Sequence, residues 1–321
     1  MNLLITGGTG YFGHAFAKAM LDRGDYERIC IYSRGEYAQH LMRQKFNDDQ
    51  RLRFFIGDVR DQQRLELAMR GIDVVVHAAA LKRVEVGEYN PTEMIQTNVD
   101  GAKNVIQAAL NTGEMDVVYL STDKACAPLN AYGASKLMGE KMMLAANNVA
   151  GAKGPRFAVT RYGNVAGSTG SVIPIWRSIT KDRASRTTSP AILPITHPGC
   201  TRFWMSAQEA VDLVEWTIMN MTGGEIVVPS LPAYNIVDLA TAMGAGAQIT
   251  GLKPGEKLHE EMLTAAEAPA FMRHPPTGYW INAPWAEPIG CFEVRQAGMS
   301  SETARRMTIE EIRTRLEEID G

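Results

Sequence analysis

The chain has 321 residues, with 33 basic and 36 acidic side chains and a formal charge of −3 at pH 7. That length buries a large core, as one big α/β domain or one domain with a smaller lobe. The charge is balanced and free of long runs, so composition gives no case for nucleic acid or an anionic membrane as partner. No apolar run reaches the about 18 residues of a membrane span.

In chain order the pattern alternates strand and helix. Residues 2–6 are short and apolar and read as the first strand, which leaves no room for a signal peptide. Glycines follow, then a helix from about Tyr11 to Arg23. Strands are expected at 28–33, 53–56 and 73–77, the last with three valines in a row. Pro91 sits at the first turn of a long helix that runs to about Asn111. Residues 116–120 and 156–162 read as the fifth and sixth strands. Repeated β-α-β units with apolar, β-branched strands predict a Rossmann-type, doubly wound parallel sheet covered on both faces. After Gly163 the pattern changes to helical segments near 173–180, 207–219 and 236–243, separated by Pro- and Gly-rich loops. The expected organisation is a nucleotide-binding domain over 1–164 and mainly a smaller C-terminal substrate-binding lobe over 165–321, with some segments returning to the first domain. Residues 183–198 hold three prolines and several hydroxyl side chains, and read as an exposed loop. Cysteines at 30, 126, 200 and 291 make no C-x-x-C and suggest reduced thiols of a cytoplasmic protein. The six histidines show no metal-ligand spacing, so no metal is expected.

Two regions carry chemistry. Gly7-Gly8-Thr9-Gly10-Tyr11-Phe12-Gly13 lies between the first strand and its helix. Such glycines let the backbone turn tightly and approach a pyrophosphate, whose charge the helix N-terminus favours. The second strand ends in Ser33-Arg34 rather than in Asp or Glu, which favours the 2′-phosphate of NADP over the 2′-hydroxyl of NAD. Asp58-Val59 is placed to meet the adenine, and Ala78-Ala79-Ala80 offers small residues where the backbone passes the cofactor. The second region is Ser121-Thr122-Asp123-Lys124-Ala125 with Ala131-Tyr132-Gly133-Ala134-Ser135-Lys136. Tyr132 and Lys136 are four apart, so on a helix they share a face. An ammonium near a phenol favours the phenolate, which makes Tyr132 a base for a sugar or alcohol hydroxyl while hydride leaves the same carbon. Asp123 and Lys124 can supply an acid and a base, provided burial lowers the lysine pKa.

These motifs resemble the extended short-chain dehydrogenase/reductases. More closely, the chain is similar to the soluble UDP-N-acetylglucosamine 4,6-dehydratases that invert C5 and begin pseudaminic acid synthesis. Further matching stretches are Phe54-Phe55-Ile56-Gly57-Asp58-Val59-Arg60-Asp61, His77-Ala78-Ala79-Ala80-Leu81-Lys82, Glu88-Tyr89-Asn90-Pro91 and Thr97-Asn98. Later come Arg161-Tyr162-Gly163-Asn164-Val165, Gly170-Ser171-Val172-Ile173-Pro174, Thr201-Arg202-Phe203-Trp204 and Lys253-Pro254-Gly255-Glu256-Lys257-Leu258-His259-Glu260. The resemblance implies that Thr122 positions the C4 hydroxyl, Tyr132 takes its proton, Lys136 holds the nicotinamide ribose, Asp123 is the acid for C6 and Lys124 the base for C5. It implies that Lys82, Asn164, Val172, Thr196 and Lys253 line the substrate, with Arg202 and Glu256 beside them. Val165 and the residues up to Thr169 would touch a tightly bound NADP, as would Lys82. The expected partners are a UDP-sugar and further copies of the chain, as a dimer or hexamer. Three departures stand out: Tyr11 where the family usually has Ser, Lys253 where it usually has Arg, and a stretch between Lys181 and Pro194 longer than the family pattern. The match fades from Pro269 onward. A sugar 4-epimerase, a C5-retaining dehydratase and a non-catalytic NADP-binding sensor remain as alternatives.

Overall fold

The computed structural model describes residues 1–184, 189–283, 290 and 293–320. Its centre is a set of parallel strands: β1 (Asn2–Thr6), β2 (Arg28–Ser33), β3 (Leu52–Ile56), β4 (Val74–His77), β5 (Asp116–Leu120) and β6 (Arg156–Thr160). They lie side by side in the order β6-β5-β4-β1-β2-β3, so the order reverses between β1 and β4. In such sheets ligands bind at the carboxyl ends of the strands where the order reverses.

The strands inside the sheet are apolar on both sides. Leu3, Ile5, Ile29, Ile31 and Val76 pack onto Phe16 and Met20 of α1 (Tyr11–Arg23) and onto Val211, Val214 and Ile218 of the helix Ala207–Asn220. Leu4, Cys30, Val75, Val117 and Tyr119 face the other way, onto Leu65, Ala102, Val105 and Met143. Those four belong to the helices Gln62–Met69, Gly101–Thr112 and Ala131–Ala150. Side-chain caps fix several helix starts. Asp61 accepts from the Arg64 N–H, Asn130 accepts from the Gly133 N–H, and Ser206 and Glu209 form a reciprocal capping box.

The sheet is large and mostly parallel, but one edge is not. Ile226–Val228 joins β6 in parallel, and Tyr279–Asn282, Met272–His274 and Glu293–Val294 then follow antiparallel. Met272–His274 and Tyr279–Asn282 are joined by a hairpin that closes with Gly278 at φ 72°, a connection too short for a parallel crossover. Beyond the sheet a separate core forms from Ile173, Trp176, Leu193, Ile195, Trp204, Tyr234, Leu239 and Ile312.

Two expected elements differ. The long helix from Pro91 is interrupted: Pro91–Met94 is α-helical, Ile95–Asp100 is a π-helical stretch, and Gly101–Thr112 resumes the α-helix. The stretch carries Asn98, which accepts from the Leu81 N–H at 2.8 Å and donates to the Leu81 carbonyl at 2.9 Å. The segment expected as a loop at 183–198 contains the strand Ile192–Ile195, paired in parallel with Gly246–Ile249. Leu193 and Ile195 point into the lobe core there, while Ile192 and Pro194 point out. Residues 185–188 of that segment lie outside the described residues.

A buried ion network ties the sheet to the later chain. Arg161, at the end of β6, donates to both carboxylate oxygens of Glu140 at 3.0 and 2.7 Å. It also donates to the Met262 carbonyl at 2.9 Å and to Glu267 at 3.1 Å. Ser121 donates to Glu140 at 2.5 Å. Arg161 and Glu140 are almost wholly buried, so removing one charge strands the other in a medium that solvates it poorly. Arg161→Ala is expected to cost about 3–5 kcal/mol of stability, read by urea unfolding at neutral pH. A loss below about 1 kcal/mol, the scale of an exposed pair, would show that the network carries no such weight.

Candidate active site

The turn after β1 is as tight as its glycines allow. Gly7 has φ +65°, and a Cβ there would sit 2.8 Å from the Ala79 Cα. A Cβ on Gly13 would lie 2.2 Å from the Gly8 carbonyl oxygen. The N-terminus of α1 has no side-chain cap and no acidic residue in its first turn. Its free N–H groups and positive dipole end therefore suit a dinucleotide pyrophosphate. The cleft in front of it is lined by Gly7, Gly10, Tyr11, Phe12 and Gly13, and by Ala78, Ala79, Ala80 and Lys82 after β4. Thr122, Asp123, Lys124, Tyr132 and Lys136 line its inner end, with Asn164 and Val165. Tyr11 reaches across and donates to the Ala166 carbonyl at 2.9 Å. Thr9 faces an adjoining groove, shared with Tyr11 and Thr169, rather than this cleft.

Other expected cofactor residues stand apart from the cleft lining. Ser33 is buried, and its hydroxyl accepts from Gln39 at 3.0 Å. Arg34 is 59% exposed, with a guanidinium nitrogen 4.0 Å from an Asp58 oxygen. Burial resists the Asp58 carboxylate, but Arg60 and Arg34 outweigh it and hold its pKa below the usual range. Val59 is in the core, where it meets Gly101, so its side chain serves packing.

Gly133 assembles the inner end. The turn Asp123–Ala125 follows β5, and a Cβ on Gly133 would lie 2.0 Å from the Lys124 carbonyl oxygen. Only glycine lets the helix Ala131–Ala150 approach that closely, which brings Tyr132 to the Thr122-Asp123-Lys124 turn. Thr122 donates to Asp123 at 2.9 Å. The Lys124 ammonium lies 3.2 Å from an Asp123 oxygen and 3.0 Å from a Glu260 oxygen.

Electrostatics here revise one expectation and sharpen another. Burial disfavours the Lys124 ammonium, but Asp123 and Glu260 outweigh burial and push its pKa up. The lowering expected for Lys124 is therefore reversed, because two carboxylates face it. Burial drives the Asp123 pKa up, against Lys124 and with help from Glu260. Burial pushes the Tyr132 phenol up to about 12, while Lys124 and a Thr122 side-chain hydrogen bond pull it down. The helix-face argument assigned that pull to Lys136. The Lys136 nitrogen instead lies 3.8 Å from the centre of the Tyr119 ring, and burial lowers its pKa to about 7 against the pull of Glu140.

A second cleft opens on the far side of Lys124. Lys82, Lys124, Asn164 and Ser168 line both clefts, and Val172, Arg202, Lys253, Glu256 and Glu260 belong to the second. Arg202 donates to Glu256 at 3.0 Å and to the carbonyls of Thr201 and Leu258 at 2.8 and 3.0 Å. Thr196 does not line the cleft but donates to Glu256 at 2.8 Å. Lys253 is exposed, with its nitrogen 3.4 Å from Glu85. Burial, aided by Arg83, lowers the Lys82 pKa. Sequence reasoning gave no role to Glu260, Asn98 or Arg161, whose partners lie far away in the chain. Among the described residues no cluster of potential ligands could hold a metal ion, and no helix is long and apolar enough to cross a membrane.

The glycine turn, the reversal of strand order and the Thr-Asp-Lys and Tyr-x-x-x-Lys groups together define an enzyme of the extended short-chain dehydrogenase/reductase type. A family model described as "Polysaccharide biosynthesis protein" matches residues 3–279, and the chain belongs to that family. It is 48% identical over 269 residues to a UDP-N-acetylglucosamine 4,6-dehydratase (inverting) of Campylobacter jejuni, covering 83% of this chain and 78% of that protein. It is 38% identical over 337 residues to a UDP-glucose 4-epimerase of Rickettsia felis, covering 99% and 96%. The structure of Pen from Bacillus thuringiensis superposes with a TM-score of 0.91 at 32% identity, over 99% of this chain and 97% of that one.

Gly133→Ala tests the assembly of the inner end. A displacement of about 1 Å in a reacting group can cost about 100-fold in rate. The variant is expected to lose roughly that factor in kcat while still binding dinucleotide, read by turnover and by cofactor titration. Wild-type turnover would show that the close approach is not needed.

Proposed function

We propose that the protein is an NADP-dependent UDP-N-acetylglucosamine 4,6-dehydratase that inverts C5. The observation that carries this reading is the buried Asp123–Lys124 pair, 3.2 Å apart, where the two clefts meet beside Thr122 and Tyr132. Oxidation and re-reduction at C4 need no such pair, and neither does dinucleotide binding alone. Removal of a C5 proton together with a C6 hydroxyl needs both a base and an acid.

The chain's own residues divide the work. Gly7, Gly10 and the first turn of α1 hold the pyrophosphate, and Lys136 holds the nicotinamide ribose. A nicotinamide bound there would supply the hydride acceptor for C4 and the hydride donor for C6. Thr122 orients the C4 hydroxyl and Tyr132 accepts its proton. The resulting C4 ketone acidifies the C5 proton. The scheme starts with one proton on the pair, carried by Lys124. Transfer of that proton breaks a Lys124 N–H bond, forms an Asp123 O–H bond, and makes the base and the acid in one step. Lys124 then takes the C5 proton, and Asp123 gives its proton to the departing C6 hydroxyl. Water leaves, and the pair regains its starting charge. Inversion requires the proton that returns to C5 to arrive on the opposite face, from Tyr132 or a water. Lys82, Asn164, Val172, Arg202 and Glu256 bound the sugar-nucleotide cleft, and Lys253 at its mouth meets the diphosphate or uridine. Arg34, exposed at the end of β2, supports the NADP reading because its guanidinium can pair with a 2′-phosphate.

NMR of the product formed from UDP-N-acetylglucosamine in D₂O tests the reaction. The expected product is a 4-keto-6-deoxy sugar of L-arabino configuration, with deuterium at C5 and the original C4 hydrogen at C6. Lys124→Ala should not form it. A C4 epimer that keeps its C6 hydroxyl would establish the epimerase reading instead, and unchanged configuration at C5 the retaining one. Arg34→Ala should weaken NADP binding by about 1.5–3 kcal/mol, the worth of a lost charge-assisted contact. Mass spectrometry of cofactor released from the purified protein reads the same point, and NAD alone would overturn it.

A further inference from the structure

Glu260 is a buried acid to which the reaction above gives no part. Its backbone is clamped: the Glu260 N–H donates to the Ser301 hydroxyl at 2.9 Å, and the Ser301 N–H donates to the Glu260 carbonyl at 2.8 Å. Its side chain is 4% exposed. One carboxylate oxygen lies 3.0 Å from the Lys124 nitrogen and 3.8 Å from the Arg202 Nε. The other oxygen is buried and has no hydrogen-bond partner among the described residues. An unsatisfied buried carboxylate oxygen is costly, so its retention beside a lysine in the cleft points to a role.

We propose that Glu260 is a positioning residue that holds the Lys124 ammonium against Asp123 and keeps one proton on the Asp123–Lys124 pair. This rests on the dehydratase reading for its catalytic consequence, but not for its electrostatic one. The charged and titratable groups around Lys124 come from every side. They are Asp123 on its own turn, Glu260, Arg202 from Thr201–Phe203, Tyr132 from the helix Ala131–Ala150, and Tyr234 from Ala233–Asn235, while Lys257 acts on Glu260 itself. Arg202 opposes the lysine charge, and Asp123 alone must offset both that and burial once Glu260 is neutral. The Glu260 charge also resists ionisation of Asp123. Removing it therefore loosens the proton on either member of the pair.

The test compares wild type with Glu260→Gln, which keeps the shape and removes the charge. Heteronuclear NMR of the lysine ammonium groups, with Lys124 assigned by loss of its signal in Lys124→Ala, follows the titration without substrate. In wild type Lys124 should titrate above an ordinary lysine. In Glu260→Gln it should titrate about 1 to 3 pH units lower, and both limbs of the kcat/KM profile for dehydration should move to lower pH. Glu260→Asp, which keeps the charge but retracts it, should stay close to wild type in both positions. A Lys124 titration unmoved by Glu260→Gln overturns the proposal. If that variant fails to fold, a wild-type Lys124 that titrates at or below the ordinary lysine value overturns it equally. A shifted titration combined with a product other than the C5-inverted ketone would leave Glu260 as the positioning residue and refute only the dehydratase reading.

Discussion

One short stretch of later chain places a carboxylate against each of three cations, Arg161 buried and Lys124 and Arg202 largely so. Glu256 meets Arg202, Glu260 meets Lys124, and Glu267 meets Arg161. A buried charge without a partner is prohibitively expensive, so these contacts fix where that stretch must lie. Its position completes the second cleft and sets the inner wall against the carboxyl ends of β5 and β6. Fold and site thus share one electrostatic requirement. The strands could pair without it, but the cations beside them would keep only their local partners, Glu140 for Arg161 and Asp123 for Lys124.

The same requirement explains the behaviour of the acid–base pair. Burial alone would neutralise both Lys124 and Asp123, by lowering one pKa and raising the other. With Glu260 present the lysine keeps its proton, while Asp123 is still pushed toward protonation by burial and by its neighbour. Both members of the pair are thus biased toward their protonated forms. Separate tuning of a lysine downward, as the sequence suggested, is not needed for acid and base to appear together.

Local order was the most legible part of the chain. α1, β2 and β5 were expected at the bounds they occupy, because glycines, β-branched runs and helix periodicity are local signals. The glycine turn and the Tyr132–Lys136 spacing were readable for the same reason. The strand Ile192–Ile195 was hidden among prolines and hydroxyl residues, and only its alternation of buried Leu193 and Ile195 marks it. The antiparallel edge was hidden because it arises from a hairpin in a stretch with no recognisable motif. Glu260, Asn98 and Arg161 act through partners remote in sequence, and no periodicity reports such a contact. Asn98 is the clearest case: a π-helical stretch, invisible in the residue pattern, aims its amide at the backbone of Leu81 beside the cleft.

The division of labour between two lysines is the last consequence of packing. Lys136 and Tyr132 share a helix face, yet the Lys136 nitrogen rests on the Tyr119 ring, and Lys124 supplies the attraction that favours the Tyr132 phenolate. If Tyr132 takes the C4 proton, as proposed above, its removal is thereby coupled to the charge on Lys124. While Lys124 carries its proton, it partly offsets the burial that disfavours the phenolate. In the proposed reaction, transfer of that proton to Asp123 would remove the attraction, leave Tyr132 holding the proton it has taken, and free Lys124 to act at C5. In the dehydratase reading proposed above, one mobile proton between Lys124 and Asp123 would order the two stages: oxidation at C4 with the charged lysine, elimination with the neutral one.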